Sequence, residues 1–294
     1  MIQMFKTGGW LGVALLVAVP LLMSSAFAAD ADKGRQISVL VYNTHGLPGL
    51  IAFDKPKQRF PKIAALSGQY DLVLLQEDFA HHDVLLENLT APTSVTRGAR
   101  PDIPPCVVGS GSGLTQISNL PEADWTMATR FEPFGVCAGW LFGASDCFAQ
   151  KGFQISVLGN ADGDRVVVVN THLDAGRSEF DRWARGVQLD HIATVLEQEA
   201  TNDAIIMAGD FNLDWNSPED RALLLAFRQR LGLGQVETGI TADRGWEILD
   251  YVLYRSGQTA DLTVLHAGED RAFENDDGAL SDHPALSVIF QIGD

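Results

Sequence analysis

Cationic residues and cysteines are both scarce in this chain. Only 21 Lys and Arg face 38 Asp and Glu in 294 residues, a net charge of −17, and there are 3 cysteines. The cations form no cluster, which excludes the basic patch that charge-driven nucleic-acid binding needs; a body this acidic repels polyanions at long range. So few cysteines exclude a scaffold built on disulfides, and no histidine cluster stands beside them to make a zinc site. Internal repeats are absent, as is any apolar run beyond Met23 long enough to cross a membrane. What is present is ordinary globular composition: 46% hydrophobic and 20% charged residues. That rules out a disordered, collagen-like or coiled-coil chain and allows a sizeable core.

Lys6 precedes an apolar run from Trp10 to Met23, and Ser24-Ser25-Ala26-Phe27-Ala28 follows with the small-residue pattern that signal peptidase accepts. Residues 1–28 therefore read as a signal peptide, and 29–294 as a single domain that is secreted or periplasmic. In such an oxidising compartment two of Cys106, Cys137 and Cys147 can pair, but spacing does not choose which.

Ile37 to Asn43 and Asp71 to Gln76 read as strands, with a helix over 55–67 between them and a short one near Leu85 to Leu89. Thr90 to Pro121 is rich in Gly, Pro, Ser and Thr and reads as loop, closing on a short strand near Leu114 to Ile117. Phe153 to Leu158 and Arg165 to Asn170 form a hairpin around Gly159 to Asp164. Ser178 caps a helix to Gln198 whose Phe180, Trp183, Val187, Ile192, Val195 and Leu196 are expected on one buried stripe. Residues 204–207, 248–254, 262–266 and 285–291 complete the strands, with a helix over 218–231. Hairpins mixed with packed helices predict an α/β class, two face-to-face sheets with helices outside.

Several apolar strands terminate in carboxylate, amide or imidazole. Val39 to Tyr42 ends at Asn43, Leu72 to Leu75 at Gln76-Glu77, and Val166 to Val169 at Asn170-Thr171-His172. Ile205 to Gly209 ends at Asp210-Phe211-Asn212; Asp250 opens another strand, and Ser281-Asp282-His283 precedes the last. Singly, each has a plain explanation: Asn43 a turn cap, Asp210-Phe211-Asn212 an Asx turn, the histidines surface groups. Gathered at one sheet edge, such carboxylates would repel one another and lose solvation unless a cation joined them. Oxygen donors such as Glu77 and Asn43 suit a hard ion, Mg²⁺ or Mn²⁺. His172 and His283 could then meet a phosphoryl group and the attacking water. His81-His82, adjacent on a helix, point apart and are read as surface.

That order of motifs, with Ser112-Gly113-Leu114, resembles the endonuclease/exonuclease/phosphatase superfamily from about residue 37 to 290. The resemblance implies the DNase I-like fold, a four-layer α/β/β/α sandwich, and metal-dependent phosphoester hydrolysis. Asp146-Cys147-Phe148-Ala149-Gln150-Lys151-Gly152-Phe153 and Thr171-His172-Leu173-Asp174-Ala175 further resemble bacterial and neutral sphingomyelinases. By resemblance Glu77 and Asn43 bind Mg²⁺, His283 is the general base and Asp250 orients it. Asp282 lies on the metal side or supports that pair. His172, Asn212 and Lys151 contact the phosphate, and Asp210 positions the nucleophile or assists the leaving group. His45 stands where some nucleases of the superfamily carry a carboxylate, which puts a second metal ligand in doubt.

The implied substrate is a phospholipid headgroup cleaved by a sphingomyelinase-like phospholipase C, expected to act as a monomer with transient membrane contact. Its weak point is the interval from Asn212 to Asp250, which offers only Trp215, Phe227 and Trp246 for docking. A secreted DNase-like endonuclease is the alternative that the charge opposes. A phosphatase for a small or inositol phosphomonoester would want more cations near the site.

Overall fold

Strand β1 (Arg35–Asn43) is apolar on both faces: Ile37, Val39 and Val41 point one way, Leu40 and Tyr42 the other, all buried. Successive side chains of a strand face opposite sides, so a strand of this kind must be covered twice. That requirement generates the layers. In the computed structural model, which describes residues 35–47, 55–99, 111–139, 146–240, 248–275 and 278–293, β1 sits inside a six-stranded sheet. Its partners are β2 (Leu72–Gln76), β3 (Ser94–Arg97), β4 (Thr115–Ser118), β11 (Leu262–Glu269) and β14 (Leu286–Ile292), in the order β11-β14-β1-β2-β4-β3. The second six-stranded sheet holds β5 (Trp125–Pro133), β6 (Gly152–Asn160), β7 (Arg165–His172), β8 (Ala204–Asp210), β9 (Gly234–Gln235) and β10 (Asp250–Arg255), ordered β5-β6-β7-β8-β10-β9. A small ribbon pairs β12 (Glu274–Asn275) with β13 (Gly278–Ala279).

Between the sheets lie Ile37, Val39, Leu72, Leu74, Val166, Val168, Ile206, Val252, Val288 and Phe290. On the outer face of the first sheet, Leu40, Tyr42, Val73 and Leu75 meet Phe60 and Ile63 of α1 (Pro56–Ser67) and Leu85 of α2 (His82–Asn88). On the outer face of the second, Val167, Val169, Ile205 and Met207 meet α3 (Glu179–Glu199) and α4 (Pro218–Leu231) through Leu189, Ile192, Leu196, Leu224 and Phe227. The result is the four-layer α/β/β/α sandwich. Ser178 caps α3 as expected, in a capping box with Asp181.

Three expectations need correction. Phe180 and Trp183 do not join the buried stripe of α3, whose inward face instead carries Ala184, Arg185, Gln188, Leu189, Ile192 and Leu196. Arg185 and Gln188 are inside because they hydrogen-bond the chain at Asp174 to Gly176. His81 and His82 are buried, not surface; His82 Nδ1 lies 2.5 Å from Asp78 Oδ2 and 3.1 Å from Thr115 Oγ1, while His81 packs on the Phe60 ring at 5.2 Å. The segment read as loop contains β3, whose Val95 and Thr96 pair with Ile117 and Gln116 of β4. Its Pro- and Gly-rich middle, with Cys106, lies outside the described residues.

Two parallel pairs set up the functional edge. β1 runs beside β2 with Asn43 aligned to Gln76, and β7 beside β8 with His172 aligned to Asp210. β10 comes back antiparallel and puts Asp250 opposite Asp210. Gly209 makes the β7–β8 approach possible. Its φ is +143°, and a Cβ there would stand 2.0 Å from the Thr171 carbonyl oxygen, so no other residue fits without moving the strands.

Candidate active site

Asn43, Glu77, His172 and Asp210 meet where those strands end. Asn43 Nδ2 donates to Glu77 Oε1 at 3.1 Å and to Asp210 Oδ2 at 2.9 Å. His172 Nε2 is 3.6 Å from Glu77 Oε1 and 3.5 Å from Asp210 Oδ2. His283 Nε2 approaches Asp210 Oδ2 at 3.8 Å from the other side, and its Nδ1 lies 2.8 Å from Asp250 Oδ2. The two sheets thus contribute to one constellation. They are locked together behind it by buried amides: Gln76 Nε2 donates to Asn170 Oδ1 at 2.7 Å, and Asn170 Nδ2 to Gln154 Oε1 at 3.1 Å. Glu77, at φ +57°, and Asn212, at φ +51°, both take the left-handed backbone. That conformation is uncommon outside glycine and is concentrated at functional sites.

Lys151 closes one wall. It is buried, its Nζ sits 3.1 Å from His172 Nε2 and donates to the Leu173 carbonyl at 2.7 Å, and Asp146 Oδ1 pairs with it at 2.6 Å. Asp146 Oδ2 also accepts from the Ala175 N–H at 2.8 Å, and Asp174 Oδ2 from the Ala138 N–H at 2.6 Å. The disulfide Cys137–Cys147 joins the two stretches that make these contacts. Asn212 N–H donates to Asp210 Oδ1 at 2.9 Å, and Asn212 Nδ2 to the Leu173 carbonyl at 3.2 Å.

Burial and charge work against each other here. Burial pushes the Glu77 carboxyl up, and the Asn43 amide offsets only part of this. Burial likewise carries Asp250 up, to about 6. For His283, burial alone would depress the imidazole, but Asp250, Asp210 and Asp282 outweigh it and hold it at about 10. His172 goes the other way, driven well below its ordinary value by burial, then by Lys151 and His283. Burial opposes the Lys151 ammonium too, yet Asp146 and Asp174 more than compensate. Two imidazoles pushed in opposite directions within one cluster mark divided roles.

Of the residues singled out from sequence, Asn43, Glu77, Lys151, His172, Asp210, Asn212, Asp250 and His283 come together. Asp282 lies outside both ligand clusters, its side chain exposed and its Oδ2 facing His45 Nδ1 at 3.3 Å, but its charge still acts on the His283–Asp250 pair. Ser281 fastens that segment to β1, donating to the Asn43 carbonyl at 2.7 Å. Asp146 and Asp174 escaped sequence reasoning as partners of Lys151, although both lie in the quoted segments. So did Asp78, His82 and Thr115, which anchor the turn carrying Glu77.

The donor set fits a hard divalent cation. Ligand atoms of Glu77, His172 and Asp210 lie within 4.8 Å of one another, as do those of Asp210, Asp250 and His283. Two carboxylates share a single amide group between them, and Asp250 Oδ1 is buried with no hydrogen-bond partner among the described residues. The Asn43 amide turns its nitrogen to the carboxylates, with Oδ1 accepting from the His45 N–H at 3.0 Å.

The Endonuclease/Exonuclease/phosphatase family pattern matches residues 40–283, and the chain belongs to that family. Sphingomyelinases of Mycobacterium bovis and Mycobacterium tuberculosis are each 29% identical to it over 270 residues, covering 86% of this chain and 52% of theirs. The chain thus spans about half the length of the curated relatives it matches. Among solved structures, Sphingomyelinase C from Streptomyces griseocarneus gives a TM-score of 0.63 at 21% identity, over 88% of this chain and 100% of that one. D. rerio TDP2 complexed with single strand DNA product gives 0.65 at 16%, over 87% and 98%. A mutant beta toxin from Staphylococcus aureus with bound magnesium ions gives 0.62 at 17%, over 86% and 99%. At these identities the likeness shows the fold.

Proposed function

We propose that this protein is a Mg²⁺-dependent phosphoester hydrolase, and within that class a secreted or periplasmic sphingomyelinase-like phospholipase C. The observation that carries the proposal is the convergence of Glu77, His172 and Asp210 with the His283–Asp250 pair. The similarity to curated sphingomyelinases supports the lipid substrate.

Glu77 and Asp210 would hold the cation, joined by Asn43 once its amide turns its oxygen, in place of its nitrogen, toward them. A bound Mg²⁺, or Mn²⁺ in its place, would supply Lewis-acid polarisation of a phosphate oxygen and positive charge against these carboxylates. His283 Nε2 takes the proton of the attacking water, with Asp250 fixing the ring through Nδ1, as the P–O bond on the opposite side breaks and the departing alkoxide takes a proton from solvent. Asp210, between both imidazoles, orients that water. Lys151, His172 and Asn212 hold the phosphoryl oxygens where negative charge accumulates during in-line displacement. Asp282 adds its charge to the His283–Asp250 pair from the rim. The acidic body is compatible with a choline headgroup and opposes a polyanionic substrate.

The test is hydrolysis by purified protein, in Mg²⁺, of sphingomyelin vesicles, plasmid DNA, an inositol phosphate and a soluble chromogenic phosphodiester. EDTA and His283→Ala serve as controls. Sphingomyelin cleavage lost in both controls is the expected outcome. Cleavage of DNA alone, or of the phosphomonoester alone, would replace the lipid substrate, and turnover surviving both controls would overturn the mechanism. Mass spectrometry of exported protein should find the chain starting after Ala28.

A further inference from the structure

Phe180 is 77% exposed and Trp183 57% exposed, more than any other large apolar side chain described. They lie one turn apart at the start of α3, with Val187 next along the same stripe and Leu223 of α4 across a shallow groove. At 100° per residue Trp183 lies about 180° around the helix from Ile192, which packs on the sheet, so this stripe is turned outward. Lone exposed apolar residues are commonplace; adjacent aromatic rings with apolar neighbours mark an interaction surface.

The position of the stripe says what it faces. α3 connects the parallel strands β7 and β8, so its first turn lies at the edge where those strands end in His172 and Asp210. Arg185 pins that turn to the chain leaving His172, donating from Nη1 to the carbonyls of Asp174 at 3.0 Å and Gly176 at 2.9 Å. The aromatic pair is therefore a rigid feature of the catalytic rim. Its surroundings carry more carboxylates than cations: Glu179, Glu219 and Asp190 line the groove with Arg182, which Asp220 engages at 2.9 Å, while Asp190 is paired with Arg230 at 2.6 Å. Carboxylates around aromatic rings complement outward-facing quaternary ammonium groups and repel anionic headgroups. Trp and Phe settle at headgroup depth. The aromatic residues between Asn212 and Asp250 do not compete, because Phe227 is in the core and Trp215 packs against it; Trp246 lies outside the described residues.

We propose that the Phe180–Trp183 face of α3 docks the protein onto a zwitterionic, choline-headed lipid surface. This rests on the phospholipid reading above, whose site then opens beside the bilayer and meets headgroups without extracting the lipid.

The test is co-sedimentation of the full exported chain with phosphatidylcholine vesicles and with phosphatidylglycerol vesicles, in EDTA so that binding is scored without turnover. Wild type should partition onto the phosphatidylcholine vesicles. Phe180→Ser with Trp183→Ser should weaken that partition by at least about tenfold, while its circular dichroism and its Mg²⁺-dependent rate on the soluble phosphodiester stay unchanged. Brominated lipid should quench wild-type emission more than that of Trp183→Phe. Equal vesicle binding by wild type and the double variant would overturn the proposal, as would a preference for phosphatidylglycerol. So would a wild-type dimer in sedimentation velocity that the double variant abolishes, since a second copy would then cover the face. Failure of the hydrolysis assay with vesicle binding intact sinks the catalytic reading alone.

Discussion

Lys151 Nζ stands 3.1 Å from His172 Nε2, so a buried ammonium and a buried imidazole form one wall of the site. The ammonium survives burial because Asp146 pairs with it at 2.6 Å. The imidazole is kept neutral by its burial, and by the same ammonium. A phosphoryl oxygen arriving here would meet fixed positive charge without having to organise it, the arrangement that stabilises charge developing in a transition state.

Lys151→Met removes that charge and strands Asp146 and Asp174 in the interior. The expected cost is about 3–5 kcal/mol of stability in denaturant unfolding and a fall of about 10²–10³-fold in kcat. The His172 ring should titrate at higher pH in NMR than in wild type. An unchanged His172 titration would contradict the electrostatic link.

Gly209→Ala tests the strand approach. Its φ of +143° and the 2.0 Å gap to the Thr171 carbonyl leave no room for a methyl group. Destabilisation should exceed about 1 kcal/mol, and activity should fall with it as Asp210 shifts. A variant with wild-type melting temperature and activity would show that β8 can move aside without harm.

Stability of the metal-free protein should depend on pH with a definite sign. Folding raises the proton affinity of Asp250 from 3.8 to about 6 and of His283 from 6.5 to about 10. A group whose folded value is raised contributes fully below its unfolded value and ceases to contribute as pH passes the folded one. In EDTA the melting temperature should therefore decline from pH 6.5 toward pH 10, and His283→Ala should flatten that decline. A wild-type profile that rises over this window would contradict the assignment.

Much of this was readable from residues alone, for a physical reason. Strands such as Val166 to Asn170 and Ile205 to Asp210 are apolar on both faces, and only a doubly covered sheet accommodates them, so polar groups at their ends stand out. The errors came where tertiary contacts override pattern. Phe180 and Trp183 look like core residues by composition, but Arg185 and Gln188 take inward positions to satisfy the carbonyls and carboxylate around Asp174. His82 looked like a surface residue because nothing in its own helix announces Thr115, 33 positions away in sequence. Asp250 and Asp282 carry equal weight as letters. Only the register of β10 against β8 puts Asp250 beside His283 and leaves Asp282 facing His45.

The central claim is that side chains from both sheets form a single cation-dependent centre. Calorimetric titration of Mg²⁺ into wild type, Glu77→Gln and His283→Ala addresses it most directly. The account predicts saturable binding by wild type, binding weakened at least about tenfold by Glu77→Gln with the fold intact, and binding retained by His283→Ala alongside lost hydrolysis. Identical isotherms for wild type and Glu77→Gln would contradict it.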